Sequence, residues 1–172
     1  VLAEVWSRRV EGLPISTPEE LVILASIVEK ETAISDERSR VAAVFINRLS
    51  RKVRLQSDPT VIYGIYGGKG KPADRPITRA DLEQLNAYNT YKIDGLPPGP
   101  IANPGRASLE AVANPSRTAD LYFVADGSGG HVFAETLDEH RKNVRKWRAV
   151  ERSLAESDTE PTEIPVPATR GE

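Results

Sequence analysis

The chain has no cysteine, no methionine and only two histidines among its 172 residues. Without cysteine there are no disulfides and no thiol nucleophile, although this leaves the compartment open, since many extracytoplasmic proteins lack cysteine. The missing methionines include the initiator. The sequence therefore reads as beginning inside a longer protein or after processing, and the lack of a leader or anchor segment carries no information. No run approaches the roughly 20 apolar residues of a membrane span. His131 and His140 have neither cysteines nor the spacing of a zinc site around them, so no metal is expected, and nothing suggests an organic cofactor. The formal charge of −2 and pI near 5.8, with basic residues spread among acidic ones, argue against a nucleic-acid partner. What remains, 39% apolar and 28% charged residues, is the balance of one soluble globular domain with a real core.

The most informative segment lies near the start. Thr17 reads as an N-cap, Pro18 as the first helical residue and Glu20 as the far arm of a capping box. Leu21, Leu24, Ala25 and Val28 then recur at the spacing of one helix face, with Glu19, Ser26 and Lys30 on the other. Two glutamates follow. Glu31 lies seven residues after Leu24 and projects within roughly 20° of it, whereas Glu29 lies about 140° away, at the margin. A carboxyl group walled by Leu24, Ile27 and Val28 loses solvation of its charged form, so its pKa rises and it can hold a proton near neutrality. Such a group can act as a general acid. An ion pair with an arginine is an equally good account of Glu31 from pattern alone.

Around this helix the pattern predicts an α+β fold, mostly helical, with a β-hairpin. Residues 1–13 read as a helix end and linker from a preceding region, with Val5 and Trp6 able to pack on the domain. Ser35-Asp36-Glu37 opens a second helix with Val41, Val44, Phe45 and Leu49 on its apolar face. Asp58-Pro59 reads as an N-cap and first residue of a short helix through Ile65, and Thr78 caps another through Leu85. Gly67 to Pro72 is a flexible loop, and Gly95 to Gly105 is Pro/Gly-rich irregular structure of the kind that shapes binding surfaces. A short helix spans Ser108 to Ala113. Leu121–Ala125 and His131–Ala134, joined by Asp126-Gly127-Ser128-Gly129-Gly130, form the hairpin. The glycine run lacks the lysine and helix of a phosphate loop and is a turn. Thr136 and Glu139 make a capping box for a long helix through about Glu156, with Val144 and Trp147 able to dock. The folded unit is expected over residues 14–156, and residues 157–172 have the composition of a disordered tail.

Several blocks also carry a family resemblance. Ser26-Ile27-Val28-Glu29-Lys30-Glu31-Thr32-Ala33, Val44-Phe45-Ile46-Asn47-Arg48-Leu49, Leu55-Gln56-Ser57-Asp58-Pro59-Thr60-Val61-Ile62-Tyr63-Gly64, Ala87-Tyr88-Asn89-Thr90-Tyr91, Gly95-Leu96-Pro97-Pro98-Gly99-Pro100-Ile101 and Leu121-Tyr122-Phe123-Val124-Ala125-Asp126-Gly127 together resemble the catalytic domain of the YceG-like endolytic murein transglycosylases, from about Thr17 to Trp147. The resemblance implies a lysozyme-like catalytic core with one catalytic glutamate on this helix. Glu-Thr-Ala is also similar to the Glu-Ser-Ala segment of lysozyme-like lytic transglycosylases, which selects Glu31. Gln56 resembles the glutamine of their Gly-Leu-Met-Gln motif, and Ala87-Tyr88-Asn89 their Ala-Tyr-Asn motif.

The candidate substrate-binding residues are Gln56, Asp58, Tyr88, Asn89, Tyr91, Asn103 and His131. Tyrosine offers a sugar ring an apolar face with a polar tip, and asparagine can both donate to and accept from an acetamido group. Each has a plainer reading: Asp58 as a helix N-cap, one of Tyr88 and Tyr91 as packing, Asn103 as a turn residue, His131 as surface or packing, and Tyr63 as core. The resemblance further implies peptidoglycan strands as substrate and cleavage between N-acetylmuramic acid and N-acetylglucosamine with 1,6-anhydro ends. It also implies cell-wall synthesis proteins as partners, a site of action outside the cytoplasmic membrane, and an N-terminal anchor and LysM-like region beyond this sequence. The alternatives are a lysozyme-like hydrolase using Glu31 with Asp58 and a noncatalytic glycan-binding scaffold.

Overall fold

A computed structural model describes residues 1–157. The expected tail thus lies outside the described residues, except that Ser157 closes the last helix. The architecture is α+β: seven α-helices and one antiparallel hairpin among the described residues.

Helix α2 (Pro18–Glu31) is the axis of the fold. Thr17 caps it by accepting from the Glu20 N–H at 3.2 Å. The return arm of the box is displaced by one residue, because the Glu20 carboxylate accepts from Ser16 N rather than Thr17 N. Leu21, Leu24, Ala25, Ile27 and Val28 are fully buried. So is Ser26, which was expected on the polar face. Its Oγ donates to Ile23 O and accepts from Ile101 N, and so ties the Pro/Gly-rich segment to the helix. The reason is that α2 is packed on several sides, by α1 (Leu2–Ser7), α3 (Arg38–Ser50), α4 (Asp58–Tyr66) and α6 (Arg106–Ala113), so a single amphipathic stripe understates its burial. Each of these large aliphatic side chains contributes about 1.5–3 kcal/mol by leaving water. Helix α1 packs on the domain as expected, with Val5 in the same core and Trp6 against it.

The second expected helix divides into a 3-10 turn, Ser35–Glu37, and α3. Its apolar face packs on α2 and α6, while Arg40, Asn47 and Arg48 hold the chain that leads into the hairpin. Arg40 Nε pairs with Asp120 at 2.7 Å, and Asn47 Nδ2 donates to Thr118 O and Asp120 O. The hairpin pairs β1 (Tyr122–Ala125) with β2 (His131–Ala134) in the register Tyr122↔Ala134 to Ala125↔His131. Phe123 meets Phe45 of α3 edge-on at 5.9 Å. Gly127, at φ 91°, lets the turn lie against Val150 and Trp147 of α7 (Leu137–Ser157).

Helix α5 (Arg79–Glu83) is capped by a Thr78/Asp81 box and stops short of Leu85, which is exposed. Charge on α7 is not interleaved as composition suggested. Between His140 and Val150 it carries five basic residues and no acidic one.

Candidate functional site

The end of α2, the chain from Leu55 to Asp58, Tyr91, α3, the start of the hairpin and the first turns of α7 surround an open cleft of about 400 Å³. Glu31 stands on its floor as the last residue of α2. Part of its surface faces the cleft, although protein is dense around the carboxyl. Burial pushes its pKa up to about 7, the nearby negative charge of Asp58 adds to the rise, and a hydrogen bond from Ser57 opposes it. Ser57 Oγ donates to Glu31 Oε1 at 2.5 Å. No cation pairs with Glu31 among the described residues, so the ion-pair account does not apply.

Glu29 has a different duty. Its Oε2 accepts from Gly105 N at 3.1 Å and from Ser108 Oγ at 2.5 Å, which places a carboxylate at the N-terminus of α6, whose own cap is a glycine without a side chain. Those bonds hold its pKa below the ordinary carboxylate range. Two glutamates two residues apart therefore differ in chemistry: one is kept ionised as a structural acceptor, the other can hold a proton in a cleft.

Ser57 is held by buried hydroxyls. Its N–H donates to Thr90 Oγ1 at 2.9 Å, its carbonyl accepts from Thr60 Oγ1 at 2.6 Å, and those two hydroxyls meet at 2.8 Å. Asp58 is not the N-cap. Ser57 occupies that position, and Asp58, one residue on, turns its carboxylate to accept from Tyr91 Oη at 2.6 Å in the cleft. Burial and that bond push the Tyr91 phenol far above its ordinary pKa. Gln56 lines the cleft with backbone φ at +53°, a left-handed conformation uncommon for a residue with a side chain, and its Oε1 accepts from Arg48 Nη1 at 3.3 Å.

The remaining candidates lie elsewhere. Asn89 is fully buried: its Nδ2 donates to Leu82 O and Gln84 O, and its Oδ1 accepts from Tyr91 N. It shapes the loop that presents Tyr91 and has no surface for a sugar, which corrects its assignment as a contact. Tyr88 packs against Tyr63 with ring centroids 4.8 Å apart and is absent from the cleft lining, so the packing reading fits it. Asn103 is exposed away from the cleft. His131 also lies outside it, its Nδ1 2.7 Å from Glu37 Oε2, bracing the 3-10 turn against the hairpin.

Arg48, Ser57, Tyr122 and His140 belong to the site or its support and were not singled out from sequence. Arg48 had a visible signal: it lies seven residues after Val41 and four after Val44, on the apolar face of its helix. It is 6% exposed and donates to the carbonyls of Leu121, Arg54 and Leu55, so its guanidinium ties α3 to two other segments of the cleft wall. His140 stacks on Tyr122 at 4.9 Å, and burial followed by the Arg48 charge lowers its pKa. No group of metal-ligating side chains occurs among the described residues.

The YceG-like family model matches residues 1–146. An endolytic murein transglycosylase of Bacillus subtilis (strain 168) is 46% identical over 127 residues, 74% of this chain and 34% of that protein. One from Streptococcus pneumoniae (strain D39) is 37% identical over 131 residues, 74% of this chain and 23% of that protein. The crystal structure of a yceG-like protein from Listeria monocytogenes superposes with a TM-score of 0.64 at 42% identity, covering 73% of this chain and 38% of the other. The chain thus spans about a third of the length of one of these curated relatives and under a quarter of the other. A family match running through both the glutamate-bearing helix and the hairpin that frames its cleft makes this chain a member of the YceG-like family.

Proposed function

We propose that this chain carries the catalytic centre of an endolytic peptidoglycan lytic transglycosylase, with Glu31 as its single acid and base and residues 14–156 as the catalytic unit. The observation that carries the proposal is the Glu31 carboxyl, raised to about 7 on the floor of an open cleft and bonded to a neutral hydroxyl instead of a cation. In its reactive form Glu31 holds a proton, which it donates to the glycosidic oxygen as the bond from the N-acetylmuramic acid anomeric carbon breaks. The resulting carboxylate then takes the proton of the muramyl 6-hydroxyl while that oxygen attacks the same carbon. One bond breaks, one forms, no water is consumed, and Glu31 ends as it began. The names of the relatives support murein as the polymer. They also favour action outside the cytoplasmic membrane, with the family resemblance adding an anchor beyond this sequence.

Gln56, Asp58 and Tyr91 line the cleft and are the residues assigned to sugar binding. Asp58 also motivates a second reading, since a carboxylate sharing a cleft with a protonated glutamate is the arrangement of a hydrolase. Mass spectrometry of digested peptidoglycan separates the two. Products with anhydro ends, one water lighter, are expected, and ordinary reducing ends would reject transglycosylation. Glu31→Gln is expected to abolish cleavage while retaining binding to peptidoglycan; a variant that cleaves normally removes Glu31 from the chemistry and leaves a binding module.

A further inference from the structure

Helix α7 starts at the cleft and leaves it. Leu137 and His140, on its first turns, line the cleft. Beyond them Arg141, Arg145, Arg148 and Arg152 follow at intervals of four, three and four residues, which is one face of a helix and spans about 16 Å at 1.5 Å per residue. All four are exposed. The face that docks on the hairpin is the one bearing His140, Val144 and Trp147, so the arginine row borders it and has no protein over it among the described residues. Among the described residues the row makes one ion pair, Arg141 with Asp138 at 3.7 Å, both largely exposed, and such a contact neutralises little. Lys142 and Lys146 extend the positive surface round the helix. Arginines in line on an exposed helix suit a flexible chain bearing carboxylates at intervals, because each guanidinium can hold a carboxylate through two parallel bonds.

We infer that the arginine face of α7 is a binding track for the carboxylate-bearing stem peptides of a polymeric glycan, holding the strand as it enters the cleft at Leu137 and His140. This rests on the proposed glycan cleavage and adds to it a preference for long strands carrying acidic peptides over short or uncharged ones. Continuity with the cleft favours the substrate as occupant over an anionic membrane or a nucleic acid, which would need no connection to Glu31.

The test compares the whole chain with an Arg141→Gln/Arg145→Gln/Arg148→Gln variant. Glutamine keeps helix propensity, and thermal melting by circular dichroism checks the fold. Binding is measured in the Glu31→Gln background, so that sacculi stay intact, against native sacculi, sacculi with carboxyls amidated, phosphatidylglycerol vesicles and duplex DNA. The triple substitution is expected to weaken binding to native sacculi about tenfold and to flatten its salt dependence. Amidated sacculi should bind both proteins equally weakly, and turnover of a short soluble glycan by the Glu31 forms should be unchanged. Equal binding of native sacculi by both proteins overturns the track while leaving the proposed activity intact. So does a loss confined to vesicles or DNA. If the parent chain neither binds nor cleaves sacculi, the proposed function falls and the track with it.

Discussion

The Ser57 hydroxyl donates to Glu31 Oε1 at 2.5 Å, and this bond determines which carboxyl oxygen is free to carry the proton. A donor on Oε1 favours the carbonyl form there and leaves the acidic proton to Oε2. Because a hydrogen bond to the ionised form lowers a carboxyl pKa, Ser57 restrains the rise that burial imposes. Ser57→Ala is expected to move the alkaline limb of the pH–rate profile upward by roughly one unit. The 13C titration of the labelled Glu31 carboxyl measures the same shift without reference to turnover, and an unmoved titration would show that the serine only fills space.

Removing the charge of Asp58 should act in the opposite direction. Asp58 raises the Glu31 pKa by like-charge repulsion, so Asp58→Asn is expected to shift the alkaline limb downward while retaining activity at acid pH. Steady-state kinetics between pH 5 and 8 tests this, and complete loss of turnover at every pH would favour the hydrolase reading, in which Asp58 is the second carboxylate.

Glu31 also taxes the fold at neutral pH. Its folded pKa, about 7, lies above the ordinary 4.5, so its contribution to stability is fully present below 4.5 and is lost as pH rises towards 7. Glu31→Gln should therefore be more stable than the parent above pH 7, by on the order of 2 kcal/mol, and the advantage should shrink at pH 4.5. Thermal melts of both proteins at the two pH values measure it.

Glu29 is expected to matter to stability and not to chemistry. Glu29→Ala removes the acceptor for Gly105 N and Ser108 Oγ at the start of α6 and should cost about 1–2 kcal/mol in urea denaturation. The pH limb assigned to Glu31 should not move, and a displaced limb would show that the two carboxyls are coupled.

Much of the scaffold was legible from local pattern. The Thr17–Pro18 start, the Thr136/Glu139 box and the hairpin across Gly127 to Gly130 stand where capping and turn chemistry put them, because those signals act within a few residues. The misreadings share another cause. Periodicity assumes one buried side and so puts Ser26 on a polar face, whereas α2 is packed on several. Asp-Pro is a strong local signal for a cap at Asp58, but the partner that claims its carboxylate, Tyr91, lies 33 residues away. Asn89 suits an acetamido group by its chemistry, but backbone groups of α5 and the loop that follows it use that capacity instead.

The sequence alone determined that a glutamate would end a helix with its carboxyl on the apolar side, since helix phase follows from residue spacing and needs no knowledge of neighbours. It also determined the hairpin and the capped helices around it. Whether that carboxyl would be neutralised by an arginine or held near neutral pKa was decided by tertiary structure. Arg48 sits in the same cleft wall, yet backbone carbonyls from two other segments and Gln56 take up its bonds, and a serine from the following loop reaches Glu31 instead. Desolvation and partner choice depend on what the whole chain brings within a few ångströms, and spacing along one helix carries no record of it.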